Sequence, residues 1–155
     1  MTKMKDQLRQ DLTAAMKSGD KGTVGTIRMA LTSISKAEVA GKSSRELSDD
    51  EVIAVLTSEA KRRREAAEAF TGAGRPDLAD KEEAEAEVLA RYLPEPLSAD
   101  ALSAMIAEAV DTAQAQGLSG GRAMGAVMKE LKPRTTGRVD GAALAAQVKT
   151  ALGVG

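Results

Sequence analysis

Apolar residues recur along this chain at intervals of three and four, the spacing that gathers them on one face of an α-helix. Met4, Leu8, Leu12, Ala15 and Met16 keep that spacing up to Gly19, and Val24, Ile27, Leu31 and Ile34 keep it up to Gly41. Two amphipathic helices are predicted there, with these residues inward. A third begins at Ser48-Asp49-Asp50-Glu51, where a serine at the cap and a glutamate three residues on can each satisfy a free backbone N–H. It ends in "TGAGRPDL", because Gly72 and Gly74 stop a helix and Pro76 fits the first turn of the next. The fourth helix is acidic, "DLADKEEAEAEVLARYLPEP", and Pro94 and Pro96 stop it.

Beyond those prolines, Ser98 can cap a fifth helix with Leu102, Met105, Ile106, Ala109 and Val110 inward, ending at Gly117. A sixth carries Met124, Val127, Met128 and Leu131 and is closed by Pro133. A seventh starts near Asp140, buries Leu144, Val148 and Leu152, and ends at Gly153. No segment alternates as a strand does. The expected fold class is all-α: a four-helix part over residues 1–93, a proline-bounded joint "YLPEPLS", and a three-helix part over residues 98–155.

Composition supports this and excludes much chemistry. Of 155 residues, 43% are hydrophobic, but Phe70 and Tyr92 are the only aromatics. A core of Leu, Ile, Val, Met and Ala suits close-packed helices better than a sheet. Cys and His are both absent, which removes thiol nucleophiles, disulfides, imidazole bases and nearly all zinc and haem ligation. No apolar run approaches a membrane span, and "MTKMKDQLRQDL" has no secretory apolar stretch, so a cytoplasmic protein without membrane contact is expected. The formal net charge is -1, so attraction to a polyanion must come from a local patch.

"EAKRRREAAEAF" places four cations at Lys61 to Arg64. At about 100° per residue they spread around most of the helix and cannot form one flat patch. Arg63 falls in the core-facing stripe and is expected to be a structural ion-pair residue. Glu59, Glu65 and Glu68 lie four residues from Arg63, Lys61 and Arg64, and helix four supplies further acids for an antiparallel partner. Lys61 and Arg62, the outward cations, are the candidates for a secondary basic contact; the bland reading is a solvated, self-neutralised helix.

Gly41-Lys42-Ser43 resembles the end of a phosphate-binding loop, but Lys36 stands where the first glycine should be and a helix precedes it. "GLSGGRAMG" lacks the dinucleotide-binding spacing. Glu82, Glu83, Glu85 and Glu87 have no second ligand type or desolvating pocket in their run, so neither a metal nor a cofactor is expected. No segment sets a serine on a tight turn, and no catalytic residue is assigned.

One segment differs. "RAMGAVMKELKPRTTGR" holds Arg122, Lys129, Lys132, Arg134 and Arg138 against a single acid, Glu130. It passes from a helix into a Gly/Pro loop expected to carry Arg134 and Arg138, where basic side chains can follow a phosphate backbone. The alternative is a solvated basic loop, since no aromatic is at hand to stack a base.

"TIRM" at Thr26, "LSDDEV" at Leu47, "EAKRRREA" at Glu59, "AGRPDLADKEEAE" at Ala73, "YLPEPLS" at Tyr92 and "MGAVMKELKPRTTGRVDG" at Met124 together resemble the successive blocks of the YqeY family, over essentially the whole chain. The resemblance implies a C-terminal part similar to the tail domain of the GatB subunit of tRNA-dependent amidotransferases, the part that contacts tRNA. It also carries a family label of carbon-nitrogen ligase activity with glutamine as amido-N-donor, although the catalytic parts of the larger enzyme have no counterpart here. On this basis Arg122, Lys129, Lys132, Arg134 and Arg138 are the candidates for RNA contact, with Gly137 and Gly141 shaping their loop. Expected partners are tRNA or a protein of the translation or amidotransferase machinery. The expected role is a non-catalytic accessory module; the alternative is a helical protein-interaction adaptor.

Overall fold

A computed structural model describes residues 3–154. Among them the chain is all-helical, with no strand: α1 (Lys3–Ser18), α2 (Lys21–Val39), α3 (Asp49–Gly72), α4 (Pro76–Ala90), α5 (Ala99–Ala115), α6 (Gly120–Thr135) and α7 (Gly141–Leu152). The chain forms two compact units, Met1–Pro94 and Glu95–Gly155.

In the first unit the α3 start is built as its sequence dictates. Ser48 accepts from the Glu51 N–H at 3.2 Å while the Glu51 carboxylate accepts from the Ser48 N–H at 3.2 Å. Leu47 and Val52 flank this cap and share one apolar cluster, fixing the entry of the chain into the helix. Leu8, Ile27, Ile34, Leu56 and Leu89 complete that core from α1, α2, α3 and α4. Each is almost fully buried, and burying a side chain of this size contributes roughly 1.5–3 kcal/mol. Further along the α3–α4 hairpin the buried residues are Ala67, Ala79 and Ala86, small enough to let the helices approach closely. Gly74, at φ 73°, makes the turn between them in a conformation other residues resist. Tyr92, just after α4, hydrogen-bonds through its hydroxyl to Asp11 on α1.

The second unit packs Leu102, Ile106, Val110, Val127, Leu131, Leu144 and Val148 from α5, α6 and α7. Ser98 and Asp140 cap α5 and α7, accepting the N–H groups of Ala101 and Ala143 at 3.1 Å each. Gly153, at φ 69°, ends α7.

Three expectations are corrected. Met16 was placed in the core stripe of the first helix but is 54% exposed, because it lies about 80° around the axis from Leu8, at the edge of the stripe that buries Leu8 and Ala15; its sulfur instead lies 4.0 Å from Arg28 Nη2. Pro133 does not close α6, which continues to Thr135. Proline removes one backbone donor, but the Thr135 hydroxyl donates to the Leu131 carbonyl at 2.9 Å and the Thr136 hydroxyl to the Lys132 carbonyl at 2.6 Å, holding the last turn. Arg134 therefore lies on the helix and not in a loop.

Candidate nucleic-acid interface

The candidate cations of the second unit do not form one cluster. On α6, Arg122 lies about 20° and Lys132 about 60° from Lys129 around the helix axis, so these three share one face. All three are exposed, opposite the buried Ala123, Val127 and Leu131. Exposed Gly125 sits on the same face, and a Cβ added there would meet nothing within 4 Å. Arg134 is turned about 140° from Lys129. Its guanidinium stands 3.7 Å from the Glu130 carboxylate, one turn back.

Arg138 leaves the helix through Gly137, which holds φ 78°. Its Nε donates to the Glu95 carbonyl at 3.0 Å, and its own carbonyl accepts the Leu97 N–H at 3.3 Å. Arg138 thus fastens the loop before α7 to the segment before α5. The structure brings Arg122, Lys129 and Lys132 together and assigns Arg134 and Arg138 local partners. Gly141 is the first residue of α7 rather than part of the loop.

Charge is segregated between helices. α5 carries Asp100, Glu108 and Asp111 and no cation; α6 carries four cations and Glu130. A polyanion approaching the outward face of α6 meets three ammonium or guanidinium groups with no carboxylate on that arc.

In the first unit, Arg63 is mostly buried. Its Nη1 lies 2.6 Å from Glu59 Oε2, and its Nε 3.6 Å from Glu85 Oε2 on α4. Glu59 also accepts the Ser33 hydroxyl at 3.0 Å, so the network joins α2, α3 and α4. Lys61 stands 3.9 Å from Glu65, and Arg62 is 73% exposed with Nη1 3.4 Å from Glu59. Arg62 reaches solvent at a cleft of about 460 Å³ between α2 and α3, which Ser33, Lys36, Ser58 and Glu59 also line.

Sequence reasoning missed a buried lysine. Lys5 Nζ lies 2.7 Å from Glu38 and 3.7 Å from Glu46. The Lys5 hydrogen bond, then the Leu47 N–H, hold the Glu38 carboxyl below the usual glutamate range. Its only signal in the sequence was position: Lys5 follows Met4 and precedes Leu8 on the α1 stripe. A second cleft, of about 320 Å³ between α2 and α4, is lined by Asp20, Lys81, Glu85, Glu87 and Arg91, a mixture of signs without a directed donor set. Among the described residues no group of three acidic, histidine or cysteine side chains is placed to hold a metal, and no helix is long and apolar enough to cross a membrane.

Comparison with known proteins adds identity to this geometry. An uncharacterized protein of Schizosaccharomyces pombe is 39% identical over 89 residues, spanning 57% of this chain and 70% of that protein. The family model described as "Yqey-like protein" matches residues 5–152, from the first turns of α1 to the end of α7. The chain belongs to the YqeY family.

Proposed function

We propose that this protein is a non-catalytic accessory module that docks the phosphate backbone of RNA, with tRNA in the cytoplasm as its expected partner, through a C-terminal unit similar to the GatB tail. The observation that carries the reading is the outward arc of α6, where Arg122, Lys129 and Lys132 stand exposed without an acid between them. Cations spaced along one face of a helix offer charge to a backbone. The second unit has no aromatic residue, so bases have nothing to stack on, and recognition of structured RNA by shape and phosphate follows. Arg134 and Arg138 contribute less, because each is already engaged within the unit.

The adaptor reading has less support: the exposed large apolar side chains among the described residues are Met16 and Val39, whereas protein interfaces are usually centred on buried apolar or aromatic anchors. The test is a filter-binding titration with unfractionated tRNA over a range of salt. The affinity should fall as salt rises and fall at least tenfold with Lys129→Glu plus Lys132→Glu. Salt-independent binding, or binding that survives the double reversal, contradicts the reading.

A further inference from the structure

The N-terminal unit carries a second basic track. On α2 the exposed positions opposite the buried Ile27, Ala30 and Ile34 are Lys21, Gly25, Arg28, Thr32, Ser35 and Lys36. By helix arithmetic they lie within an arc of about 100°, and the three cations follow one another at rises of about 11 and 12 Å. The one acid of α2, Glu38, is turned off this arc toward Lys5 at 2.7 Å. Asp20, just before the helix, is held by the Thr23 N–H at 3.1 Å and the Thr23 hydroxyl at 2.7 Å. Among the described residues neither Lys21, Arg28 nor Lys36 has a carboxylate within ion-pair distance; Arg28 has only the Met16 sulfur beside it.

Two further observations bear on the occupant. Gly25 lies inside the helix, where glycine costs roughly 0.5–1 kcal/mol relative to alanine. A Cβ there would meet nothing within 4 Å, so no contact in this chain requires the glycine. A bare backbone between two cations suits the close approach of a partner's own backbone. The Lys36 end of the track opens on the α2–α3 cleft, where exposed Arg62 adds a fourth cation. The one carboxylate in that cleft, Glu59, already receives Ser33, Arg62 and Arg63.

We infer that the outward face of α2 is a second binding site for an RNA phosphate backbone, formed by Lys21, Arg28 and Lys36 and continued by Arg62. The pattern of α6 recurs: exposed cations, a facing glycine, no acid on the arc. A membrane surface would need a continuous apolar flank, and among the described residues this arc has only two isolated exposed apolar neighbours, Met16 beside Arg28 and Val39 at the far end. A protein partner would need a central apolar anchor, and the centre of the track is Arg28 and Thr32. The inference goes beyond the α6 reading and does not depend on it.

The experiment measures binding of unfractionated tRNA against salt for the full chain and two triple variants, each checked for an unchanged melting curve. The variants are Lys21→Ala/Arg28→Ala/Lys36→Ala and Arg122→Ala/Lys129→Ala/Lys132→Ala. Each phosphate contact contributes about 0.7–0.9 to the slope of log K against log salt, so the α2 variant should flatten the slope by about 2 and weaken binding at least tenfold in low salt. An unchanged slope and affinity in the α2 variant, with loss in the α6 variant, overturns this inference and leaves the α6 reading standing. Loss in the α2 variant alone supports the inference and overturns the α6 reading. Loss in neither, or no tRNA binding at all, overturns both. Equal competition by polyglutamate at matched charge assigns the track to an acidic polypeptide and overturns the RNA occupant.

Discussion

Arg63 and Glu59, one turn apart on α3, meet at 2.6 Å with side chains only 16% and 10% exposed, and Glu85 on α4 approaches the same guanidinium at 3.6 Å. The middle of a four-cation run is therefore a structural tie across three helices.

Removing Arg63 leaves Glu59 and Glu85 facing each other without their common cation. Arg63→Ala should destabilise the fold by on the order of 2–3 kcal/mol, below the full cost of breaking a buried pair because the guanidinium keeps some water. Arg63→Lys should recover only part, since a point charge cannot reach both carboxylates as a planar fork does. Arg64→Ala, exposed one position on, should stay within about 0.5 kcal/mol. Thermal melts of the three variants check this.

Acid should loosen the start of α3. Arg45 pairs with both oxygens of Glu51, and this, with the Ser48 N–H, lowers the Glu51 carboxyl from its ordinary 4.5 to about 2. A depressed carboxyl stabilises the fold above its unfolded value, and that contribution is lost as pH falls from 4.5 toward 2. Glu51→Gln should lower the urea midpoint at neutral pH and show a shallower further decline toward about pH 3 than the parent. Equal declines in the two proteins would remove Glu51 from the account.

Tyr92 ties the residues after α4 to Asp11 on α1 through its hydroxyl, and burial followed by that hydrogen bond raises its pKa well above the usual phenol range. Tyr92→Phe should cost about 1–2 kcal/mol, since it removes a hydrogen bond to a charged group and leaves the ring in place. In the parent, the ultraviolet signature of phenolate should be missing at a pH where free tyrosine ionises, and should appear with unfolding.

The elements most legible in the sequence were those written in neighbouring residues. Ser48 with Glu51, Pro76 after Gly74, and Gly153 after Leu152 mark helix ends by local backbone chemistry, and each holds in the structure. Arg63 was legible because its angle on the helix is arithmetic. Pro133 misled because the hydroxyls of Thr135 and Thr136, which hold the turn past it, count for nothing in a hydrophobic period. Arg138 was read as a loop cation facing RNA, and its tie to the Glu95 carbonyl went unseen because that acceptor is 43 residues away. The α2 track went unseen for a related reason: Lys21, Arg28 and Lys36 are seven and eight residues apart, whereas attention goes to contiguous runs such as Lys61 to Arg64, which the helix scatters.

The central claim is that the exposed, unopposed cations on the outside of α6 contribute more to holding RNA than the engaged arginines of the same segment. Salt-dependent tRNA binding by Arg122→Ala/Lys129→Ala/Lys132→Ala, set beside Arg134→Ala/Arg138→Ala, measures this directly. The account predicts a slope of log K against log salt flatter by about 2 in the first variant and nearly unchanged in the second. The opposite order, with the Arg134 and Arg138 variant losing the binding, would contradict it.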